Sequence, residues 1–470
     1  MTPSRNRASI SFRLLGFLTL VVLSLALVVQ TGVWRRARFW ANANISASPP
    51  SRPPGSGRNG AEPLPETAGG QESTPFWPQW RGPNRDDVSP EKGLLRTWPS
   101  GGPKLLWTFD NAGLGYSGPA IVGNRLFTLG AYAGKEYVYA IDASTGGELW
   151  SAEIGPVLTN GWGDGPRSTP TVDGTRLYAL GAQGILTCAE VANGKKVWSV
   201  DFQNELGGTL PGWGYTESPL VDGDKVVCTP GGAQGSLAAL DKQTGKVIWR
   251  STSLKDSAAY SSIIVAEVGG LRQYVQMTSQ GVDGVAANDG RLLWHSDLAH
   301  NGTAVIPTPI FHDGFVYVTS GYGAGCGLLK LTPEGQGTRA ETVYTNKIMK
   351  NQHGGVVLVG DHIYGYSDDR GWMCQILQSG EMASQSRAIS RGSVTFADGQ
   401  LYCYGEDEGA VVLVEAGPGG WKEHGRFELP RKTGQQRKSG KIWTHPVIAN
   451  GRLYLRDQDL IFCYDVRAPK

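Results

Sequence analysis

Residues 218–249 read SPLVDGDKVVCTPGGAQGSLAALDKQTGKVIW. Four short apolar runs alternate with turn clusters. The run 218–221 meets Asp222-Gly223, and 225–229 is stopped by Pro230-Gly231-Gly232. The run 236–241 ends at Lys242-Gln243-Thr244-Gly245, and 246–249 closes the unit on Trp249. Asp-Gly and Thr-Gly suit hairpins, because glycine takes a positive φ without a Cβ clash. The stretch has no helical period, so it reads as a four-stranded antiparallel sheet. One such sheet buries too little to stand alone and needs copies of itself on either side.

The copies are present. Segments 118–150, 169–198, 261–294, 308–344, 354–389 and 392–427 repeat the pattern. A last copy, 445–465, lacks its fourth strand, and an orphan of that strand precedes the first copy in Gly102-Pro103-Lys104-Leu105-Leu106-Trp107. Seven full copies and one split copy make eight. The expectation is an all-β, eight-bladed propeller whose last blade is closed by the N-terminal strand 102–109. Closure leaves only short, protected sheet edges. An open β-solenoid or a pair of sandwiches has no need of complementary chain ends. A single closed ring needs no second copy, so a monomer is expected.

Composition agrees. Gly is 66 of 470 residues, about twice the usual share of ~7%, as a chain rich in tight turns requires. The net charge of +2 gives no case for nucleic acid. Residues 1–13 read as a short cytoplasmic terminus. Residues 14–33 are almost wholly apolar and long enough to span a bilayer, and read as a transmembrane or signal anchor. Cleavage near Ala41-Asn42-Ala43 is the competing outcome, which would release a secreted domain. Residues 34–75 read as a disordered Pro/Ser/Gly linker, and 76–470 as the propeller on the exported, periplasmic side. Two tryptophans in Trp77-Pro78-Gln79-Trp80-Arg81-Gly82-Pro83 mark the return of order, as a structural flap packed over the ring or as a plug or lid over one mouth of its channel. The first of six cysteines is Cys188, so an N-terminal lipid-bearing cysteine is not expected, and no C-x-x-C pair occurs. One cysteine per blade suits buried small hydrophobes better than disulfides.

Ala140-Ile141-Asp142 with Thr145-Gly146 and Trp150, and Ala239-Leu240-Asp241 with Thr244-Gly245 and Trp249, share the signature A-x-D-x-x-T-G-x-x-x-W. This resembles the pyrroloquinoline-quinone-like (PQQ-like, quinoprotein-type) eight-bladed propeller repeat. It is closest to membrane-anchored bacterial members that start W-P-x-W-R-G-P. The resemblance implies that Trp107, Trp150, Trp198, Trp249 and Trp294 dock each blade on its neighbour, with Tyr344, Ile389 and Phe427 standing in elsewhere. It also implies two kinds of function. Quinoprotein dehydrogenases of alcohols or sugars hold PQQ and Ca²⁺ in the funnel, whereas an outer-membrane-assembly lipoprotein uses the ring as a scaffold without a cofactor. No adjacent cysteine pair occurs here, and the Ca²⁺ ligands cannot be assigned by motif. The acids Asp368-Asp369 and Glu406-Asp407-Glu408 fall in second-to-third-strand turns, expected to lie away from the funnel. No metal site is assigned.

In a propeller the first strand of each blade lines the channel, and the loop entering it reaches the mouth. Those loops place Tyr116, Trp162, Arg167, Trp213, Tyr215, Tyr260, Lys350, Arg391, Trp443 and His445 near one face, with Glu217 and His353 as weak catalytic candidates. Aromatics suit stacking on a flat ligand, a sugar or an extended peptide, and Arg can hold a carboxylate bidentately. Large side chains also serve to fill a narrow ring centre. The basic run Arg431, Lys432, Arg437, Lys438, Lys441 is either a solvated loop or a contact for an anionic surface. The favoured function is a membrane-tethered binding or scaffold module for a protein, peptide or glycan. The alternative is a PQQ-dependent dehydrogenase.

Overall fold

The structure, a computed structural model, describes residues 76–469. The proposed anchor 14–33, the terminus before it and the linker 34–75 lie outside the described residues. Among the described residues, no helix is long and apolar enough to cross a membrane.

The described chain forms eight antiparallel four-stranded blades. Blades 1 to 7 span residues 120–156, 171–201, 220–250, 264–296, 310–346, 356–386 and 392–428. Blade 8 takes three strands from 447–465 and its outermost strand, Lys104–Phe109, from the other end of the sequence. That strand pairs antiparallel with Leu460–Asp465, from Lys104 opposite Asp465 to Phe109 opposite Ile461. The split repeat is therefore the closure of the ring.

The repeat signature has a physical cause. Asp241 Oδ1 accepts hydrogen bonds from Thr244 N (2.8 Å) and Thr244 Oγ1 (2.7 Å), which fixes the outer hairpin. Gly245 follows at φ 74° and donates its N–H to Asp241 O at 2.8 Å. The ring of Trp198, from the preceding blade, lies on this glycine, and a Cβ there would sit 2.8 Å from it. Trp107 lies in the same way on Gly146, Trp150 on Gly194 and Trp249 on Gly290. Each indole N–H also donates to a carbonyl of the neighbouring hairpin: Ala143, Val191, Lys242 and Ala287 for Trp107, Trp150, Trp198 and Trp249. The Trp of one blade and the hairpin glycine of the next are thus one joint.

Trp294 departs from this pattern, donating to Gln273 Oε1 of its own blade at 2.7 Å. One expected stand-in is corrected by register: Ser384, not Ile389, sits just after the outer-strand bulge where the other blades place Trp. Gly425 holds that place in blade 7, but Phe427, two residues on, still docks on the next blade, since a Cβ on Gly102 would lie 2.5 Å from its ring. In blade 7 the gap at Gly425 is filled from outside the repeat. Trp98 N donates to His424 O at 2.9 Å, and its ring packs on Phe427 and Tyr402 at 5.3 and 5.8 Å. All six cysteines are buried free thiols. Burial pushes Cys188 up to about 11 and Cys463 up to about 12.

Two glycines separate backbone strain from the Trp contact. Gly270 has φ 80° with open space around it, whereas a Cβ on Gly290 (φ 76°) would lie 2.3 Å from Trp249. In urea denaturation Gly270→Ala should cost about 1–2 kcal/mol for the left-handed backbone. Gly290→Ala should cost about 1–3 kcal/mol more, from overpacking. Equal losses would contradict the joint.

Candidate functional site

The inner strand of each blade has an unpaired edge that faces the ring axis, and its buried main-chain groups need partners. Residues 76–89 supply them. Phe76–Trp77 pairs antiparallel with Ala120–Val122 of blade 1, and Val88–Ser89 pairs parallel with the inner strand of blade 7. Between these ends the chain crosses the hub. Pro78 O accepts from Val172 N of blade 2 (2.8 Å), and Asp87 O accepts from Phe396 N of blade 7 (2.9 Å). Arg85 donates to Ser218 O and Pro219 O at 2.8 and 3.2 Å. Arg81 donates to Val356 O and to Thr308 O, and Ser89 Oγ to Ile448 O at 2.9 Å. Of flap and plug, the geometry is that of a plug.

Arg81, Arg85 and Asp87 hold φ near 60°, a left-handed conformation costing roughly 1–2 kcal/mol for each non-glycine residue. The hydrogen bonds above hold them there. Arg81 Nε lies 2.9 Å from Asp87 Oδ2, with both side chains buried. Asp87 Oδ2 also meets His445 Nδ1 at 3.2 Å, and His445 Nε2 meets His353 O at 2.9 Å. Burial lowers the Arg85 guanidinium to about 10, with Glu217 opposing.

Above the plug, on the loop face, opens a cavity of about 360 Å³ whose lining includes Trp80 and Arg81 of the plug. It is a blind cup. Nine sequence candidates line it: Tyr116, Trp162, Arg167, Trp213, Tyr260, His353, Arg391, Trp443 and His445. Tyr116 lies 5.0 Å from Trp443, and its OH donates to Trp162 O at 3.0 Å. Trp213 packs on Tyr260 at 5.4 Å, His353 on Trp443 at 5.1 Å and Trp80 on His445 at 4.6 Å. Arg167 lies 5.2 Å over the Tyr116 ring and donates to Gly163 O and Gly165 O.

Three candidates sit elsewhere. Tyr215 turns away from the cup, edge-on to Phe202 at 5.2 Å, and its OH donates to Pro230 O at 2.9 Å. Lys350 is held outside the cup by Asp369 at 2.7 Å. Glu217 is buried behind the wall, accepting from Thr229 N and Oγ1 at 2.7 and 3.0 Å. It cannot pair with His353.

The acid beside His353 is Glu406, at 2.5 Å. Glu406 also accepts from Arg391 Nε at 3.0 Å and Trp443 Nε1 at 3.1 Å, and Arg391 reaches Asp368 at 3.2 Å. Burial works to raise the Glu406 carboxyl, but His353 and Arg391 outweigh it and leave it below its ordinary value. This corrects the expectation that these acidic turns lie away from the funnel. In an antiparallel blade the second-to-third turn returns to the face where the entry loop arrives. The same geometry brings Tyr322, also missed, to the cup. Trp80 and Arg81 were missed as lining residues because the plug is not part of the repeat.

Among the described residues lining the cup, none is Asp or Glu, while three Arg and two His are present. Asp256, Asp283 and His295, whose ligand atoms converge within 4.8 Å, are not part of its wall. Four of the five basic residues of the loop pair with acids elsewhere in the ring: Arg431 with Asp110, Arg437 with Asp457, Lys438 with Asp164 and Lys441 with Asp407.

The eight four-stranded blades define the protein as a β-propeller. A family profile described as outer membrane protein assembly factor BamB matches residues 134–386, over half of the chain. The chain belongs to this PQQ-like propeller family. A curated relative, BamB of Bordetella pertussis, is 27% identical over 233 residues, covering 47% of this chain and 53% of the relative. The match thus spans about half the length of that relative. Among solved structures, BamB from Moraxella catarrhalis superposes with a TM-score of 0.53 at 14% identity, covering 75% of this chain and 95% of that one. Quinohemoprotein alcohol dehydrogenase from Comamonas testosteroni gives 0.56 at 11% identity, covering 84% and 81%. At these identities the two structures speak for the fold alone.

Glu217 yields a pH prediction. Burial pushes its carboxyl up from 4.5 to about 8. A raised acid holds its proton in the folded state after the unfolded chain has lost it, so it costs stability as pH rises through that window. Glu217→Gln should therefore be more stable than wild type at pH 8. The gain should shrink to nothing near pH 4.5 in thermal unfolding followed across pH. A gain independent of pH would contradict the assignment.

Proposed function

We propose that this chain is a non-catalytic binding scaffold, exported and tethered by its segment 14–33, and that the blind cup is its ligand site. The observation that carries this is the cup itself, aromatic-walled, open on the loop face and floored by the plug residues Trp80 and Arg81. The family description, an outer membrane protein assembly factor, supports a role of holding a partner rather than transforming one. By that likeness the cup or its rim takes part of a protein or envelope partner.

The alternative, a PQQ-dependent dehydrogenase, needs a Ca²⁺ seat beside the quinone. Ca²⁺ takes about six to eight converging oxygen ligands. The cup lining carries no carboxylate, and the acids that touch it from behind, Glu406, Asp368 and Asp87, are engaged by His353, Arg391, Arg81 and His445. The residues present do not fit that ion.

Two measurements test the proposal. Titration of the purified chain with PQQ, with and without Ca²⁺, should give no saturable change in tryptophan fluorescence. Saturable, Ca²⁺-dependent quenching would restore the dehydrogenase. A photo-reactive residue at Trp162 should give a discrete adduct in cells that is absent when the group is placed at Ile248 on the outer strand. Equal labelling from both positions would remove the cup as the site.

A further inference from the structure

We infer that the ligand of the cup is an acidic sugar, a uronate-type pyranose bearing a carboxylate. This rests on the proposal that the cup is the binding site, and it names the chemistry that the site would select.

Exposed aromatic surface is the first argument. Among the described residues, three aromatic side chains stand out as exposed: Phe76 at 49%, Trp162 at 48% and Tyr322 at 44%. The last two both line the cup, Trp162 from the loop between blades 1 and 2 and Tyr322 from a turn of blade 5, well around the ring from it. Tyr322 sits at φ 54° between Gly321 and Gly323. A bulky side chain rarely adopts that conformation, and here it accompanies a ring at the cup. Two exposed rings on well-separated parts of one rim suit the flat apolar faces of a sugar, with their polar tips left in water.

Charge is the second argument. Arg391 is saturated by Glu406 and Asp368. Arg167 is not. Its guanidinium donates to two backbone carbonyls and lies over Tyr116, and among the described residues no carboxylate lies within ion-pair distance of it. Asp164, the nearest acid in sequence, is taken by Lys438 at 2.7 Å. A ligand carboxylate would complete this cation with the charge-assisted geometry that Arg favours.

The third argument bears on an extended peptide. A peptide that binds by strand addition needs a free sheet edge. The plug has already taken inner-strand groups in blades 1, 2 and 7 and carbonyls at blades 3, 5, 6 and 8. What remains in the cup is side-chain chemistry: ring faces, and the hydroxyls and amide of Thr216, Ser262, Thr303 and Gln352. About 360 Å³ is near the lower end of the ~300–1,000 Å³ of small-molecule sites, a fit to one or two sugar rings.

Calorimetric titration of the full-length purified chain tests this with trigalacturonate, neutral galactotriose and triglutamate. Trigalacturonate should bind saturably, at least tenfold tighter than galactotriose and triglutamate. Arg167→Gln, and to a lesser degree Arg167→Lys, should erase the preference for the acid. Tyr322→Asn, which tolerates the left-handed backbone, should weaken binding by several-fold without lowering Tm. Equal binding of acidic and neutral sugars, or an unchanged preference in Arg167→Gln, would overturn the inference. So would triglutamate binding as well as the uronate, which would point to an acidic peptide. If no sugar binds while a photo-adduct still forms from position 162, the acidic-sugar assignment fails and the cup as binding site stands. Loss of that adduct would remove the cup itself.

Discussion

A ring of blades has a problem at its centre. Each inner strand presents an unpaired edge to the axis, and buried main-chain groups without partners cost as much as lost hydrogen bonds. This chain answers with its own residues 76–89. They add a strand to blade 1 and another to blade 7, and Arg81 and Arg85 cap carbonyls of the blades between. Three left-handed non-glycine residues and a buried ion pair are tolerated because so many contacts fix them. Breaking such a pair by removing one partner leaves an uncompensated charge. The plug is therefore a structural part of the ring, and the cup exists because the channel is closed beneath it.

Around the rim of the ring the same economy recurs in another form. A tryptophan of one blade lies on a side-chain-free glycine of the next and donates its N–H to that hairpin. This joint was legible in the sequence because its parts recur at fixed spacing: Asp to brace the turn, Thr-Gly to make it, Trp to lie on the neighbour. The closure by 104–109 was legible for the same reason, as half a repeat at each end. Blades 6 and 7 were less so. Ser384 and Gly425 break the spacing, and the filler at Gly425, Trp98, comes from a segment with no repeat signature. A tertiary substitution of that kind leaves no local trace.

The site was legible in the same proportion. Entry loops fall at predictable positions, so Tyr116, Trp162, Arg167, Trp213, Tyr260, His353, Arg391, Trp443 and His445 could be gathered from sequence. Tyr215 and Glu217 fail because loop position does not say which side chains turn inward and which turn into the wall between blades. Glu406 and Asp368 were read as lying away from the funnel, and Tyr322 was missed, although strand direction alone would have placed their turns on the mouth face. The plug's Trp80 and Arg81 were visible as an ordered, tryptophan-rich stretch, but their place at the floor depends on contacts with residues more than two hundred positions away.

The most direct test of the plug is hydrogen exchange at two amides, Val172 and Phe396, whose N–H groups donate to Pro78 O and Asp87 O. In the wild type both should be strongly protected. In Arg81→Met, with the ion pair to Asp87 gone, both should exchange much faster while outer-strand amides such as Trp249 keep their protection. Unchanged protection at Val172 and Phe396 would contradict the plug as the element that closes the hub and floors the cup.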